Sequence, residues 1–550
     1  MVSAETKEPD VGGLSTIEEI VACSVQLGAC QSGGPLSLAE EQQVAWSAGI
    51  LPPPGLVDSI RQGINRGEDP LGEALSGLRS PVARRLQGAI YTPPSIVRSM
   101  VAWTVAQDVA TVVDPGCGSG RFAAEAVRQR PELEIYAVDS DPVASLITRC
   151  VLACLGHKHS SVVNTNFLIW NLPQVPGRVG VVGNPPYVRH HDIGPEGKRW
   201  GREASSRLGV PWSGLAGLHV LFTMAAALQM RDEDVLCFIT SAEWLDVRYG
   251  VVLRALLREQ PRLQAISILD PRSSAFSDAM TTASIFCAKQ AAENTKISAR
   301  VVNEVVGFAQ LDGDSRIVSL EDLLAAGRWT TLVRGNEPER DSADLVPLGA
   351  IARVSRGVAT GSNGFFVLAK EEAEARGIEG FVRPALTSAE EIFLSDGTVR
   401  VSSKTKYVLD IPLTLGDGAL SHAALGKYLA EGQKRGASER YLSKQRKYWW
   451  VLSPDVPPIV ATYMARRPPA FALNPDGAAI LNVCHGLYPR IELNSRQLWG
   501  LVCYLNGLGE KLDGAGRTYH GGLHKFEPRE MEAILVPPVE RLADYSTEEA

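Results

Sequence analysis

The stretch TVVDPGCGSGRF, residues 111–122, runs from a β-branched strand through a glycine-rich turn into a helix start. Gly116, Gly118 and Gly120 lack side chains, so the turn can be tight and a ligand can lie against its backbone. Asp114 closes the strand at its carboxyl end, where open α/β sheets bind ligands. The next strand signal, EIYAVDSDP at 134–142, ends in Asp139, 25 residues after Asp114. An acid at that position can accept hydrogen bonds from ribose hydroxyls.

The alternation extends outward from this core. Short β-branched or aromatic runs at 111–114, 135–139, 161–164, 179–183, 235–240, 265–269 and 283–288 predict seven strands. Helical stretches at 120–130 and 142–155 put Phe122, Ala123, Ala126 and Val127, and then Val143, Leu146, Ile147 and Cys150, on single faces. The pattern predicts an α/β fold with a mostly parallel sheet covered by helices on both faces. Residues 1–85 read as short helices broken by Gly and Pro, without evident chemistry. The catalytic domain is expected over 86–290, a connecting region over 291–340, and a mixed α+β domain over 341–550. The length alone suggests about three or four domains.

The chain has 550 residues, 45% hydrophobic and 21% charged, with 55 Lys and Arg against 62 Asp and Glu, a net charge of −7. That balance excludes a uniformly basic coat and argues at first against a nucleic-acid partner. Nine cysteines without a CxxC spacing suggest neither zinc nor a disulfide framework. MVSAETKEPD lacks the basic and apolar parts of a signal peptide, and no apolar run has membrane-helix length. A cytoplasmic protein without bound metal or membrane partner is expected.

Three nucleoside ligands compete for the glycine turn. A dinucleotide site would prefer GxGxxG where this chain has GxGxG, and a Walker loop needs the absent GK[ST]. S-adenosyl-L-methionine has no phosphate, and a glycine turn with a ribose-binding acid suffices for it. A ligand-free β-to-α turn is the plain alternative.

A second motif, VVGNPPYV at 181–188, narrows the chemistry. Asn184, Pro185, Pro186 and Tyr187 leave the end of a strand, and the two prolines fix torsions and remove two N–H groups. A rigid turn offering an amide oxygen, a free carbonyl and an aromatic ring suits gripping an exocyclic amino group while stacking on its ring. A proline-stiffened loop is the plain alternative.

With these motifs in order, residues 88–290 closely resemble the catalytic domain of the gamma-class (Type II, restriction–modification) N6-adenine-specific DNA methyltransferases. YTPPSIVRSMV (91–101) resembles motif X and also reads as a helix start with Thr92 as N-cap and Pro93 first in the helix. DPGCGSG resembles motif I, VDSD motif II, NTNF (164–167) motif III, NPPY motif IV, and SAFSDAMTTASIFCAK (274–289) the motif VIII region. The resemblance implies a class I S-adenosylmethionine-dependent methyltransferase fold, with S-adenosyl-L-methionine as cofactor. By position, Thr92 would contact its methionine part, Asp114, Gly116, Gly118 and Gly120 would line its turn, and Asp139 would hold the ribose. Phe167 would pack on its adenine. The family usually has an acid in motif III where this chain has Asn166, whose amide oxygen can still accept a hydrogen bond.

The implied reaction transfers methyl to the N6 amine of a flipped-out adenine. Asn184 and the Pro185 carbonyl would accept its two hydrogens, while Tyr187 and Phe276 would stack on the base. RNA adenine methylation and N5-methylation of a protein glutamine are the alternatives sharing this chemistry. His190, His191 and Asp192 lack partners for a metal site, and Glu196-Gly197-Lys198 lacks the second acid of a nuclease.

The best candidate for reading DNA is 427–467, with nine basic residues against three acids and interleaved aromatics. Lys434, Arg435, Arg440, Lys444, Arg446, Lys447, Trp449 and Trp450 are its expected contacts to double-stranded DNA. SRGVATGSNGFFVL (355–368), FVRPAL (381–386) and GRTYHGGLHKFEP (516–528) resemble parts of the family's target-recognition domains. A separately encoded restriction or defence component is the partner such a system implies.

Overall fold

The computed structural model describes residues 14–80, 92–269, 283–290, 296–302, 315–325, 329–334, 345–512, 516–519 and 523–546. The chain divides into two compact units, Met1–Asn336 and Glu337–Ala550. Within the first unit the N-terminal helices share a core with Ala124, Val143, Leu146, Ile147 and Cys150, on helices that flank the sheet.

Those helices are α1 (Ile17–Gln26), α2 (Leu38–Trp46), α3 (Leu56–Arg66) and α4 (Pro70–Leu78). Thr16 with Glu19, and Ser37 with Glu40, form capping boxes that start α1 and α2. The helix after them, α5 (Pro94–Val105), departs from expectation: Pro93 is its N-cap, and Thr92 is not a cap. With φ −54° and ψ 140°, Pro93 is too extended to be the first helical residue, so the Thr92 hydroxyl is spent elsewhere.

Among its described residues the first unit is built on nine strands: β1 (Thr111–Pro115), β2 (Glu134–Asp139), β3 (Ser160–Asn164), β4 (Val179–Gly183), β5 (Val235–Ser241), β6 (Arg262–Leu269), β7 (Ala283–Lys289), β8 (Lys296–Val302) and β9 (Arg316–Ser319). Their order is β3-β2-β1-β4-β5-β7-β6-β8-β9. β1 to β5 are mutually parallel, and β7 runs antiparallel between β5 and β6. The seven expected strands all form, and two more extend the sheet from within the stretch expected only to connect. β8 lies parallel to β6 and buries Ile297 and Ala299, while Arg300 donates to the Ser267 hydroxyl at 3.0 Å. The added strand covers the β6 edge, an unpaired ladder otherwise. Its Lys296 and Arg300 hide it from a search for apolar runs.

Alternate residues build two cores, as the period of two in a strand requires. Val113, Val138, Val181 and Phe238 face the helices α8 (Pro195–Leu208), α9 (Leu218–Ala227) and α10 (Val251–Glu259). Val112, Ala137, Val182 and Cys237 face α5 and α6 (Arg121–Gln129). Burying each such Val, Leu or Phe side chain contributes about 1.5–3 kcal/mol.

A buried knot holds the N-terminal helices to α7 (Pro142–Cys154). Arg149, fully buried, pairs with Glu40 at 2.7 Å and donates to the carbonyls of Ser32, Gly34, Pro35 and Val162. The Val162 N–H donates to the Gly33 carbonyl at 2.9 Å, so the outer edge of β3 is also covered.

The second unit holds two four-stranded sheets. One joins Ala352–Arg356, Cys484–Pro489, Ile459–Thr462 and Phe471–Leu473; the other joins Val367–Leu368, Lys406–Leu409, Val382–Leu386 and Ala479–Ile480. Phe365, Phe366, Tyr428, Leu429 and Trp450 form a core beside the second sheet. Among the described residues no helix is long and apolar enough to cross a membrane, and all nine cysteines are free thiols.

Candidate active site

The site grows from the carboxyl ends of three adjacent strands, β2, β1 and β4, where the chain order reverses. Asp114 at the end of β1 is fully buried. Its Oδ2 accepts the Ala123 N–H at 3.2 Å in the first turn of α6, and its Oδ1 finds no partner among the described residues. Burial pushes the carboxyl up to about 8, against the pull of the Ala123 hydrogen bond.

The turn after it is pinned from behind, since the N–H groups of Gly116 and Cys117 both donate to the Val138 carbonyl. Gly118 has φ +55°, and a Cβ there would meet nothing within 4 Å, so its outer face is open. Gly120, at φ +81°, instead packs so closely that a Cβ would lie 2.9 Å from Thr148.

Asp139 at the end of β2 accepts the Gly118 N–H at 2.8 Å and the Asp141 N–H at 2.9 Å. Burial pushes it up to about 6, opposed by those two hydrogen bonds. Phe167 is buried against Trp170 and Phe222, with ring centroids at 6.0 and 5.2 Å. Asn166 is exposed, and its side-chain oxygen already accepts the Leu168 N–H at 3.0 Å. That local turn occupies one of the two lone pairs of the amide oxygen.

At the end of β4, the Asn184 amide nitrogen donates to Thr92 Oγ1 at 2.9 Å. This bond is where the hydroxyl excluded from capping α5 goes. Pro185 is buried, and Pro186 lies 3.5 Å from where a Gly116 Cβ would stand. The Tyr187 ring sits 6.4 Å from His219, which sits 6.3 Å from Tyr249. Burial raises the Tyr187 hydroxyl and lowers His219 to about 4, so both are neutral near pH 7. Phe276 lies outside the described residues. Motifs distant in sequence therefore meet: Thr92, Asp114, the glycine turn, Asp139 and Asn184 share one edge.

Several groups here gave no usable sequence signal. Phe222 is buried against Phe167, and Asp69 accepts the Ser119 hydroxyl at 2.5 Å inside the glycine turn. The Asp69-Pro70 pair marks a helix start, but nothing local reveals its distant partner.

In the second unit the basic stretch separates into two populations. Lys434, Arg435, Arg440, Lys444 and Lys447 are exposed, with Lys444 2.7 Å from Glu439. Trp450 is only 5% exposed, contrary to its expected place on a contact face. Trp449 is half-buried beside Phe365 at 5.3 Å. Arg446 donates to the carbonyls of Ala359 and Thr360 at 2.7 and 2.9 Å and lies over the Phe366 ring. These three residues hold the fold, because their neighbours are aromatic and carbonyl groups of the core.

Family models match at 69–210 (N-6 DNA Methylase), 180–276 (Eco57I restriction-modification methylase) and 337–549 (Type II methyltransferase M.Eco57I, C-terminal domain). The last begins where the second compact unit begins. The Type II methyltransferase M.XamI of Xanthomonas campestris pv. amaranthicola is 36% identical over 539 residues, 96% of this chain and 99% of the relative. M.AccI of Acinetobacter calcoaceticus is 23% identical, covering 82% of this chain and 85% of the relative. Two solved structures share the fold at 13% identity and a TM-score of 0.53: a DrdV–DNA complex and a nuclease-deletion mutant of the Type ISP restriction-modification enzyme LlaGI with a DNA substrate mimic. Each covers 96% of this chain, which spans 66% and 62% of theirs. The chain belongs to the Type II DNA methyltransferases of restriction–modification systems, in their N6-adenine methylase family.

Proposed function

We propose that this chain methylates the N6 amine of a flipped-out adenine in duplex DNA, using S-adenosyl-L-methionine. The observation that carries the reading is the placement of Asn184, beside Asp114 and Asp139, on one strand-end edge. The buried Asp114 Oδ1 without a partner and the open face of Gly118 fit a nucleoside cofactor with a cationic amino-acid end. When bound, S-adenosyl-L-methionine supplies an electrophilic methyl on a sulfonium. Asp139 would receive its ribose, the turn at 116–120 its methionine part, and Phe167 its adenine.

An aromatic amine is a poor nucleophile because its lone pair is delocalised into the ring. Asn184 Oδ1 and the Pro185 carbonyl accept its two hydrogens and draw the nitrogen toward tetrahedral geometry. Pro186 has no N–H to compete for that carbonyl. Positioning and preorganised acceptors carry the step, and no charged base is needed for it. Tyr187 stacks on the extruded base; stacking returns about 1–3 kcal/mol of the few that unstacking costs. Phe276 is the proposed second stacking group. The unit from Glu337 reads the surrounding sequence, and its exposed Lys434, Arg435, Arg440 and Lys447 neutralise phosphates. A separately encoded restriction component completes the system.

The test is transfer of labelled methyl from S-adenosyl-L-methionine to duplex DNA, followed by nucleoside analysis. Label in N6-methyladenine is expected. Label confined to RNA or to protein glutamine would refute the reading. Asn184→Ala is expected to abolish transfer while retaining cofactor binding.

A further inference from the structure

The helices before the sheet, without chemistry in the sequence, reach the strand-end edge at two points. Asp69, the N-cap of α4, accepts the Ser119 hydroxyl and the Gly72 N–H and pairs with the Arg121 guanidinium. Ser119 stands inside the glycine turn, between Gly118 and Gly120. The approach is tight, since a Cβ on Gly72 would fall 2.3 Å from the Asp69 carboxylate and 2.6 Å from Ser119 Cβ. Arg79, the residue after α4, pairs with the Asp141 carboxylate. The other Asp141 oxygen caps α7 through the Val143 N–H at 3.0 Å, and the Asp141 N–H is one of the two donors holding Asp139. Both ion pairs are shielded, with side chains 16% and 15% exposed for Arg79–Asp141 and 17% and 10% for Arg121–Asp69.

We propose that α4 and Arg79 are working parts of the cofactor site: Asp69 clamps the glycine turn, and Arg79 supplies the counter-charge to the Asp139–Asp141 pair. This rests on Asp139 as the ribose acceptor. The charged groups acting on Asp139 are Asp141 on its own turn and Arg79 from the N-terminal helices, while Asp139 itself raises Asp114 on β1 and Cys117 in the glycine turn. Burial and Asp141 raise its pKa to about 6, and Arg79 lowers it. Removing Arg79 therefore raises it further, and the ionised acceptor is lost at a higher pH.

The experiment is equilibrium binding of tritiated S-adenosyl-L-methionine to the full chain across the acid-to-neutral range. Arg79→Gln is expected to weaken binding about 10-fold near neutrality and move the acid limb up by about one pH unit. Arg79→Lys keeps most of the affinity. In turnover, the rise in cofactor KM exceeds any fall in kcat. Asp69→Asn weakens binding several-fold and leaves the acid limb in place. Wild-type binding by R79Q at every pH overturns the counter-charge role, and wild-type binding by D69N overturns the clamp. Equal loss in R79Q and R79K, with the acid limb unmoved, reduces Arg79 to packing and also overturns it. Asp139→Asn separates the two levels: if it binds normally, the ribose reading itself fails. If D139N loses binding while R79Q does not, only the Arg79 role fails.

Discussion

The Thr92–Asn184 hydrogen bond, at 2.9 Å between partly buried groups, makes a sharp kinetic prediction. The family resemblance directs Thr92 at the cofactor, whereas its hydroxyl meets the Asn184 amide nitrogen. An amide group has two distinct ends, so holding the nitrogen at Thr92 fixes where the oxygen lies. Thr92→Val keeps the branched shape and replaces the acceptor with a methyl. Facing a partly buried amide donor with a methyl costs about 1–3 kcal/mol. If the aligned amide is what the transition state requires, that cost converts to a roughly 5- to 150-fold fall in kcat. Thr92→Ser retains the hydroxyl and is expected to recover most of it. The assay is steady-state methyl transfer to duplex DNA, separating kcat from cofactor KM, with equilibrium cofactor binding measured beside it. Wild-type kcat in T92V refutes the positioning role. So does a loss carried wholly by cofactor affinity, which would return Thr92 to the part that the resemblance gave it.

Four further outcomes follow from burial and charge. Glu40→Ala strands the Arg149 guanidinium, whose side chain is 1% exposed, and is expected to cost about 3–5 kcal/mol; an unchanged urea midpoint for unfolding would contradict it. Cofactor-free stability should fall as pH rises from about 4 to about 8, because native Asp139 up to about 6, and native Asp114 up to about 8, hold protons that the unfolded chain has already released. Thermal unfolding across that range checks it, with Asp114→Asn flattening the slope and a rising Tm in the wild type refuting it. Neutralising Arg435 should reduce the salt dependence of DNA affinity by about 0.9 in log–log slope, whereas Trp450→Ala should destabilise by about 3–5 kcal/mol. An unfolding midpoint unmoved by W450A would place that ring outside the core.

The catalytic sheet was legible because each strand from β1 to β7 is an apolar run bounded by turn chemistry, a local property. The cofactor turn was legible for the same reason: three glycines with positive φ sit at fixed spacing after a strand. What escaped was long-range. β8 carries Lys296 and Arg300 and is a strand because the β6 edge needs covering, which its own sequence does not state. The N-cap of α5 falls one residue later than Thr92, since Pro93 precedes Pro94 and is held extended, while the distant partner of the Thr92 hydroxyl, Asn184, is invisible locally. Asp69 and Arg79 look like ordinary helix-end residues until Ser119 and Asp141 come within reach.

The basic stretch at 427–467 shows why interleaved charges and aromatics mislead when read as one surface. Tyr428 stacks on Phe365 at 4.9 Å, and Trp450 stacks on Tyr448 at 5.3 Å, so much of the aromatic series turns inward. The cations between them are exposed for the converse reason: a lysine or arginine flanked by core-building rings has only solvent left to face. Arg446 tests that division, because it alone of the eight expected contacts is a cation spent on backbone carbonyls. If the exposed cations bind phosphate, DNA affinity should depend steeply on salt although the chain carries a net charge of −7. Net charge bears on long-range approach; the rings beneath the stretch determine which cations are available at contact.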